Sequence, residues 1–299
     1  MIKTILLNFI LLLFSCLITK SVYSQTLSVQ PVEIDLWQDI EMPYKESTPK
    51  GIENVKGGHR TSNISQPILY LYKAANPNGV AIIACPGGAY EYVSMDNEGH
   101  KMAEWINQMG VTFGVLKYRL PRGQKGMSLS DAERAIEILR DSASTFHINP
   151  NLIGIMGASA GGHLASTIAT RPTSEKFRPN FQILLYPVIS MKEGITHRLS
   201  RKNFLGSTPS DTEVNAYSNE ENVNSLTPPA FVVISADDKS VIPDNTFLYC
   251  KKLIENGISV SLHMYCEGKH GWGNEDRFKY KREWNSELES WIKKEILKQ

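Results

Sequence analysis

The segment Gly157-Ala158-Ser159-Ala160-Gly161-Gly162 separates a short apolar run, 152–156, from a helical pattern over 160–170. Small residues around a serine at such a junction let a strand and a helix approach closely. They also force the serine onto a sharp bend with its hydroxyl exposed. A chain built around this feature needs a sheet whose strands run directly into helices. The remaining sequence repeats that rhythm. Runs over 68–72, 80–85, 111–116, 181–186, 230–235 and 258–265 read as strands. Patterns over 98–109, 244–256 and 276–297 read as helices, and Ser130-Asp131-Ala132-Glu133 reads as the capped start of another. Continuous apolar runs suit strands buried on both faces of a parallel sheet. The expected class is therefore α/β, with a mostly parallel central sheet, helices on both faces and a minimal cap.

The first residues stand apart from that pattern. Lys3 precedes an apolar run from 5 to 18, and Val22-Tyr23-Ser24 supplies a cleavage context before Gln25. Residues 1–24 read as a secretory signal peptide, and 25–299 as one catalytic domain with a polar N-terminal lead-in that wraps the surface. The run is short for a membrane span of about 20 apolar residues. Secretion or export to a periplasm is the expected location, with a lipid anchor through Cys16 as the second reading. Cys85, Cys250 and Cys266 remain after cleavage, an odd number that excludes a fully paired framework. A Cys250–Cys266 bridge is one arrangement, and three buried thiols is the preferred one. Lys and Arg number 32 against 31 acidic residues, so no net field favours nucleic acid.

A serine hydroxyl needs a base to act as a nucleophile, and the base needs a carboxylate to orient it. On a turn of this kind the partners follow in the order acid, then histidine. His270 lies in the turn Glu267-Gly268-Lys269-His270-Gly271-Trp272-Gly273 after the last strand, where the crevice of an open α/β sheet forms. His263 lies within that strand and reads as structural. Asp237 and Asp238 end strand 230–235, and Asp238 is preferred because it stands three residues before Val241. Oxyanion stabilisation needs backbone N–H groups. These are expected from Ala160 and from Gly88 or Ala89 after strand 80–85. Tyr90, Tyr92 and Trp272 sit in loops that open on the same crevice, so stacking against a sugar ring is one role for them and packing of the loops is the other. His163 reads as packing, Cys85 as a small buried hydrophobe, and the charges of Arg119, Asp131, Arg134 and Arg140 as structural ion pairs. No metal-ligand spacing or phosphate-binding loop is present, and no cofactor is implied.

Cys85-Pro86-Gly87-Gly88-Ala89-Tyr90, Asn97-Glu98-Gly99, Lys117-Tyr118-Arg119-Leu120-Pro121, Gly157–Leu164, Ala236-Asp237-Asp238 and Gly268–Gly273, with Leu36-Trp37, resemble microbial acetyl-xylan esterases and related carbohydrate acetylesterases of the α/β-hydrolase superfamily. The resemblance covers nearly all of residues 25–299. It implies the α/β-hydrolase fold, a Ser159–Asp238–His270 triad and removal of acetyl groups from a carbohydrate such as xylan. Pro86 and Ala89 depart from the His-Gly-Gly-Gly loop of esterases, which bears on acyl size. Relatives include feruloyl esterases and peptidases of the prolyl-oligopeptidase type. The roughly 40 residues ahead of the first strand are too few for the blades of a propeller. A non-catalytic carbohydrate-binding relative is a further alternative, which the intact site residues disfavour. The stretch 188–228 reads as a long irregular connection, too polar and basic for an amphipathic lid. The oligomeric state is left open.

Overall fold

The computed structural model describes residues 30–57 and 59–299, so the signal-peptide reading of residues 1–24 and the Cys16 alternative lie outside the described residues. In chain order the strands are β1 (Val32–Asp35), β2 (Asn54–Lys56), β3 (Arg60–Ser62), β4 (Ile68–Tyr72), β5 (Ala81–Cys85), β6 (Val93–Ser94), β7 (Thr112–Lys117), β8 (Ile153–Ala158), β9 (Phe181–Leu185), β10 (Ala230–Ser235) and β11 (Val260–Tyr265). The α-helices are α1 (Ala103–Gln108), α2 (Gly126–Asp141), α3 (Ala160–Thr170), α4 (Arg198–Leu205), α5 (Asp211–Ala216), α6 (Asp244–Glu255) and α7 (Lys281–Trp291).

Eight strands form one sheet in the order β1-β4-β7-β5-β8-β9-β10-β11. Pairing is parallel from β7 to β11 and antiparallel at β1 and β4. Strands β5, β8, β9 and β10 are buried at every residue, which explains their unbroken apolar runs. The chain leaves β5 in one direction to reach β7 and returns past it to β8. Right-handed crossovers of opposite travel put their helices on opposite faces. Accordingly α1 meets α7 through the edge-to-face pair Trp105 and Trp284, 5.3 Å apart, while α2 packs beside α3. The reversal at β5 and β8 opens a crevice beyond their C-terminal ends. The loop 86–92 and Ser159 both lie there.

Four expectations are corrected. The lead-in does more than wrap the surface. Its β1 pairs with β4, and its β3 pairs with β6, the strand that follows loop 86–92. Ser130 does not cap a helix. It lies inside α2, where its hydroxyl donates to the Met127 carbonyl, and Asp131 turns inward to a fully buried pair with Arg119 at 2.7 Å. The connection 188–228 is not irregular: it carries α4 and α5, the latter capped by a reciprocal Ser210–Glu213 box. His263 stacks on Phe231 at 4.8 Å, a structural position. The three described cysteines are free, and Cys266 is exposed rather than buried. No helix of the described residues is long and apolar enough to cross a membrane.

Candidate active site

Strand β8 ends at Ala158 and α3 begins at Ala160, so Ser159 must turn the chain in one residue. It does so with φ 54° and ψ −120°, a strained conformation for a residue with a side chain. The crowding around it explains the glycines: a Cβ on Gly161 would lie 1.9 Å from the Cys85 carbonyl oxygen. The Ser159 N–H donates to Leu185 O on β9, which anchors the bend to the sheet.

His270 Nδ1–H donates to Asp238 Oδ2 at 2.6 Å, and Nε2 accepts from the Ser159 hydroxyl at 2.8 Å. The Asp238 side chain is 2% exposed and that of His270 21%. The carboxylate is thus held away from water while the imidazole reaches the crevice. The other oxygen of Asp238 accepts from the N–H groups of Ser240 and Val241, so the acid is fixed by its own turn. Asp237 faces elsewhere. Its Oδ1 accepts from the Lys269 N–H at 2.8 Å and steadies the backbone just before His270.

The loop after β5 has three consecutive residues with positive φ: Gly88 at 130°, Ala89 at 56° and Tyr90 at 57°. At Gly88 a Cβ would meet the Tyr92 carbonyl oxygen at 2.2 Å. The Gly87 N–H is occupied, donating to Glu98 Oε2 at 2.7 Å. The N–H groups of Gly88 and Ala89 donate to no acceptor among the described residues. Ala160 opens α3, where the first N–H groups of a helix lack intrahelical partners. Backbone N–H groups without partners beside a serine are the kind of donor that an oxyanion requires.

The aromatic expectations divide. Tyr90 is 2% exposed: its hydroxyl meets His163 Nδ1 at 2.9 Å and its ring stacks on Phe204 at 5.0 Å. Trp272 is also buried, stacked on Phe278 at 4.1 Å with Nε1–H donating to Ser235. Neither offers a face to a sugar, which corrects that reading for both. Tyr92 stays half-buried, with the Arg60 guanidinium 4.9 Å from its ring centre. Cys85 is enclosed, and burial pushes its thiol far above the ordinary range. No cluster of three metal-ligating side chains occurs among the described residues.

Two side chains of the site carried no assigned role in the sequence. Glu98, from Asn97-Glu98-Gly99, is buried behind loop 86–92. Tyr186 follows β9, packs edge-on to His270 at 4.8 Å and donates its hydroxyl to Glu98 at 2.8 Å. Its place at the C-terminal end of a central strand is the signal that could have found it.

A model of the prolyl oligopeptidase family matches residues 119–299. An acetylxylan esterase of Xylanibacter ruminicola is 42% identical over 229 residues, which are 75% of this chain and 48% of that protein. An endo-1,4-β-xylanase B of Butyrivibrio fibrisolvens is 30% identical over 206 residues, 64% of this chain and 32% of that protein. The chain thus spans about half or less of the length of these curated relatives. The crystal structure of an acetyl ester-xyloside bifunctional hydrolase from Caldicellulosiruptor lactoaceticus matches with a TM-score of 0.77 and 31% identity. The match covers 90% of this chain and 97% of that one. A sugar hydrolase from Lactococcus lactis matches at 0.69 and 26% identity, over 83% of this chain and 99% of its own.

Proposed function

The chain belongs to the prolyl oligopeptidase family and to the acetyl-xylan esterase group of the α/β-hydrolase superfamily, and on that premise we propose that it is a carboxylic ester hydrolase removing acetyl groups from a xylan-type carbohydrate. The observation that carries the reading is the unbroken line from Asp238 through His270 to the Ser159 hydroxyl, at 2.6 and 2.8 Å. Ser159 Oγ attacks the ester carbonyl carbon as its proton passes to His270 Nε2. The oxyanion accepts from Ala160 N–H and from Gly88 or Ala89. As the C–O bond breaks, His270 returns the proton to the departing sugar oxygen. Water, deprotonated by His270, then releases acetate and regenerates the serine. Burial of Tyr90 and Trp272 leaves Tyr92 as the aromatic of the original three that can contact the sugar.

Incubation with acetylated xylan, a feruloylated oligosaccharide and a prolyl peptide tests this. Acetate from the first is the expected product. Ferulate or a cleaved peptide as the dominant product would replace the reading with a feruloyl esterase or with a peptidase, the latter the rival that the family match makes natural. A chain that a fluorophosphonate fails to label at Ser159 would be a non-catalytic relative. We also propose that residues 1–24 are a secretory signal. N-terminal sequencing that begins at Gln25 supports this, and a lipidated Cys16 would replace it with an anchored form.

A further inference from the structure

We propose that Glu98 is a positioning residue for the reaction: one carboxylate oxygen holds the oxyanion loop, and the other holds the histidine loop through Tyr186. The inference rests on the esterase reading above. Glu98 Oε2 accepts from the Gly87 N–H at 2.7 Å, and Oε1 accepts from the Tyr186 hydroxyl at 2.8 Å. That hydroxyl in turn accepts from the Gly273 N–H at 2.9 Å, three residues after His270. Tyr186 has a single hydroxyl proton, and it points to Glu98. Both oxygens of Glu98 therefore act as acceptors, which is the work of a carboxylate.

Gly87 sits between this carboxylate and the nucleophile. A Cβ there would lie 2.8 Å from Glu98 Oε2 and 2.9 Å from Ser159 Cβ. The proposed oxyanion donors, Gly88 and Ala89, follow immediately. Any shift of the Gly87 peptide moves them relative to Ser159, and a misplacement of about 1 Å is enough to cost about 100-fold in rate. The neighbouring residue acts on the histidine loop: Asn97 Nδ2 donates to the carbonyls of Gly271 and Trp272 at 3.2 and 3.1 Å. Asn97 and Glu98 thus join two segments more than 170 residues apart, one carrying the donors and one carrying the base.

The charge of Glu98 also matters. Burial pushes its carboxyl above the ordinary carboxylate range, while the Tyr186 hydrogen bond, the charge of His270 and the Gly87 hydrogen bond pull it back, and Glu275 pushes it up slightly. Tyr118 and Tyr186 face it from the ends of β7 and β9, and Asp238 acts on Tyr186 from the far side. When His270 takes the serine proton, a carboxylate within electrostatic reach favours the imidazolium.

The test compares Glu98→Gln, Glu98→Asp and Tyr186→Phe with the wild type, using p-nitrophenyl acetate across pH with Ser159→Ala as control. Glu98→Gln should lower kcat by about 10- to 100-fold, leave KM nearly unchanged and move the acid limb of kcat/KM to lower pH. Glu98→Asp keeps the charge but not the reach, so it should lose rate while the acid limb stays. Tyr186→Phe removes the hydroxyl that joins Glu98 to Gly273 and should also lose rate. Wild-type kcat in Glu98→Gln overturns the proposal, as does a loss of rate with an unmoved acid limb. If Glu98→Gln does not fold, wild-type kcat in Tyr186→Phe overturns it. Activity that survives Ser159→Ala would instead sink the esterase reading itself.

Discussion

His163 and His270 both touch Ser159, and they differ in almost every other respect. The His163 backbone N–H donates to the Ser159 carbonyl at 3.2 Å from the first turn of α3. Its ring is sealed: Nδ1 meets the Tyr90 hydroxyl at 2.9 Å, Nε2 meets the Tyr217 carbonyl at 2.8 Å, and Phe204 packs 4.8 Å away. Both partners are neutral, and burial pushes its pKa down to about 4. His270 meets a carboxylate on one nitrogen and a hydroxyl on the other, and part of its ring reaches the crevice. A histidine with neutral partners on both sides is a strut. One placed between a buried acid and a hydroxyl can take a proton and return it.

The largest expected effect follows from that contrast. His270→Ala should remove about five to six orders of magnitude of kcat, because members of such a constellation fail as a unit. Its thermal unfolding should stay close to wild type, since the ring is partly exposed. His163→Gln should do the reverse, keeping most of its kcat while unfolding at lower temperature. Similar kinetic losses in the two variants would erase the distinction drawn between them.

The two aspartates sharpen it further. Asp238→Asn should cost about 10^4 in kcat, because a neutral amide no longer stabilises the imidazolium or fixes its tautomer. Asp237→Asn weakens one hydrogen bond to the Lys269 N–H and should cost only a few-fold, about the effect of about 1 kcal/mol. Steady-state kinetics on the pair would reverse the assignment of the acid if Asp237→Asn proved the worse.

The Ser159 turn was legible because part of its crowding is local: β8 passes into α3 within one residue, and a Cβ on Gly157 would lie 2.2 Å from the Gly161 carbonyl oxygen four positions on. The parallel strands were legible because burial on both faces leaves no polar alternation. What escaped depends on distant partners. Nothing near Trp272 announces that Phe278 and Ser235 enclose it, or near Tyr90 that Phe204 and His163 do. Ser130 to Glu133 has the letters of a capping box, yet Asp131 is claimed by Arg119 and Trp37, and the helix starts earlier at Gly126. Helices α4 and α5, at 8 and 6 residues, are too short for a clear period. The box at Ser210 and Glu213 was the available sign of the second. Glu98 was visible only as a letter in a shared motif, since its role lies in joining loops that sequence separates.

The smallest effect concerns pH and stability. A buried histidine whose folded pKa is depressed supports the fold fully above the unfolded value of about 6.5, and that support is lost as pH falls toward the folded value. With a folded pKa of about 4 for His163, the loss is about 2 kcal/mol at pH 5 and approaches about 3 kcal/mol below pH 4. Buried acids act with the opposite sign, because burial raises Asp131, Glu133 and Glu220 and lets the folded state hold protons that the unfolded chain releases. The wild-type pH profile alone therefore mixes the two. The difference between wild type and His163→Gln isolates the histidine, since the acids are common to both. Urea unfolding at pH 7.5 and pH 5 should show His163→Gln less stable at the higher pH, where the ring's hydrogen bonds to Tyr90 and Tyr217 are lost. Most of that deficit should vanish at pH 5, where the wild type must exclude a proton from its strut and the variant has none to exclude. A deficit of equal size at both pH values would mean that His163 is protonated in the fold, and the line drawn between the two histidines would then have to move.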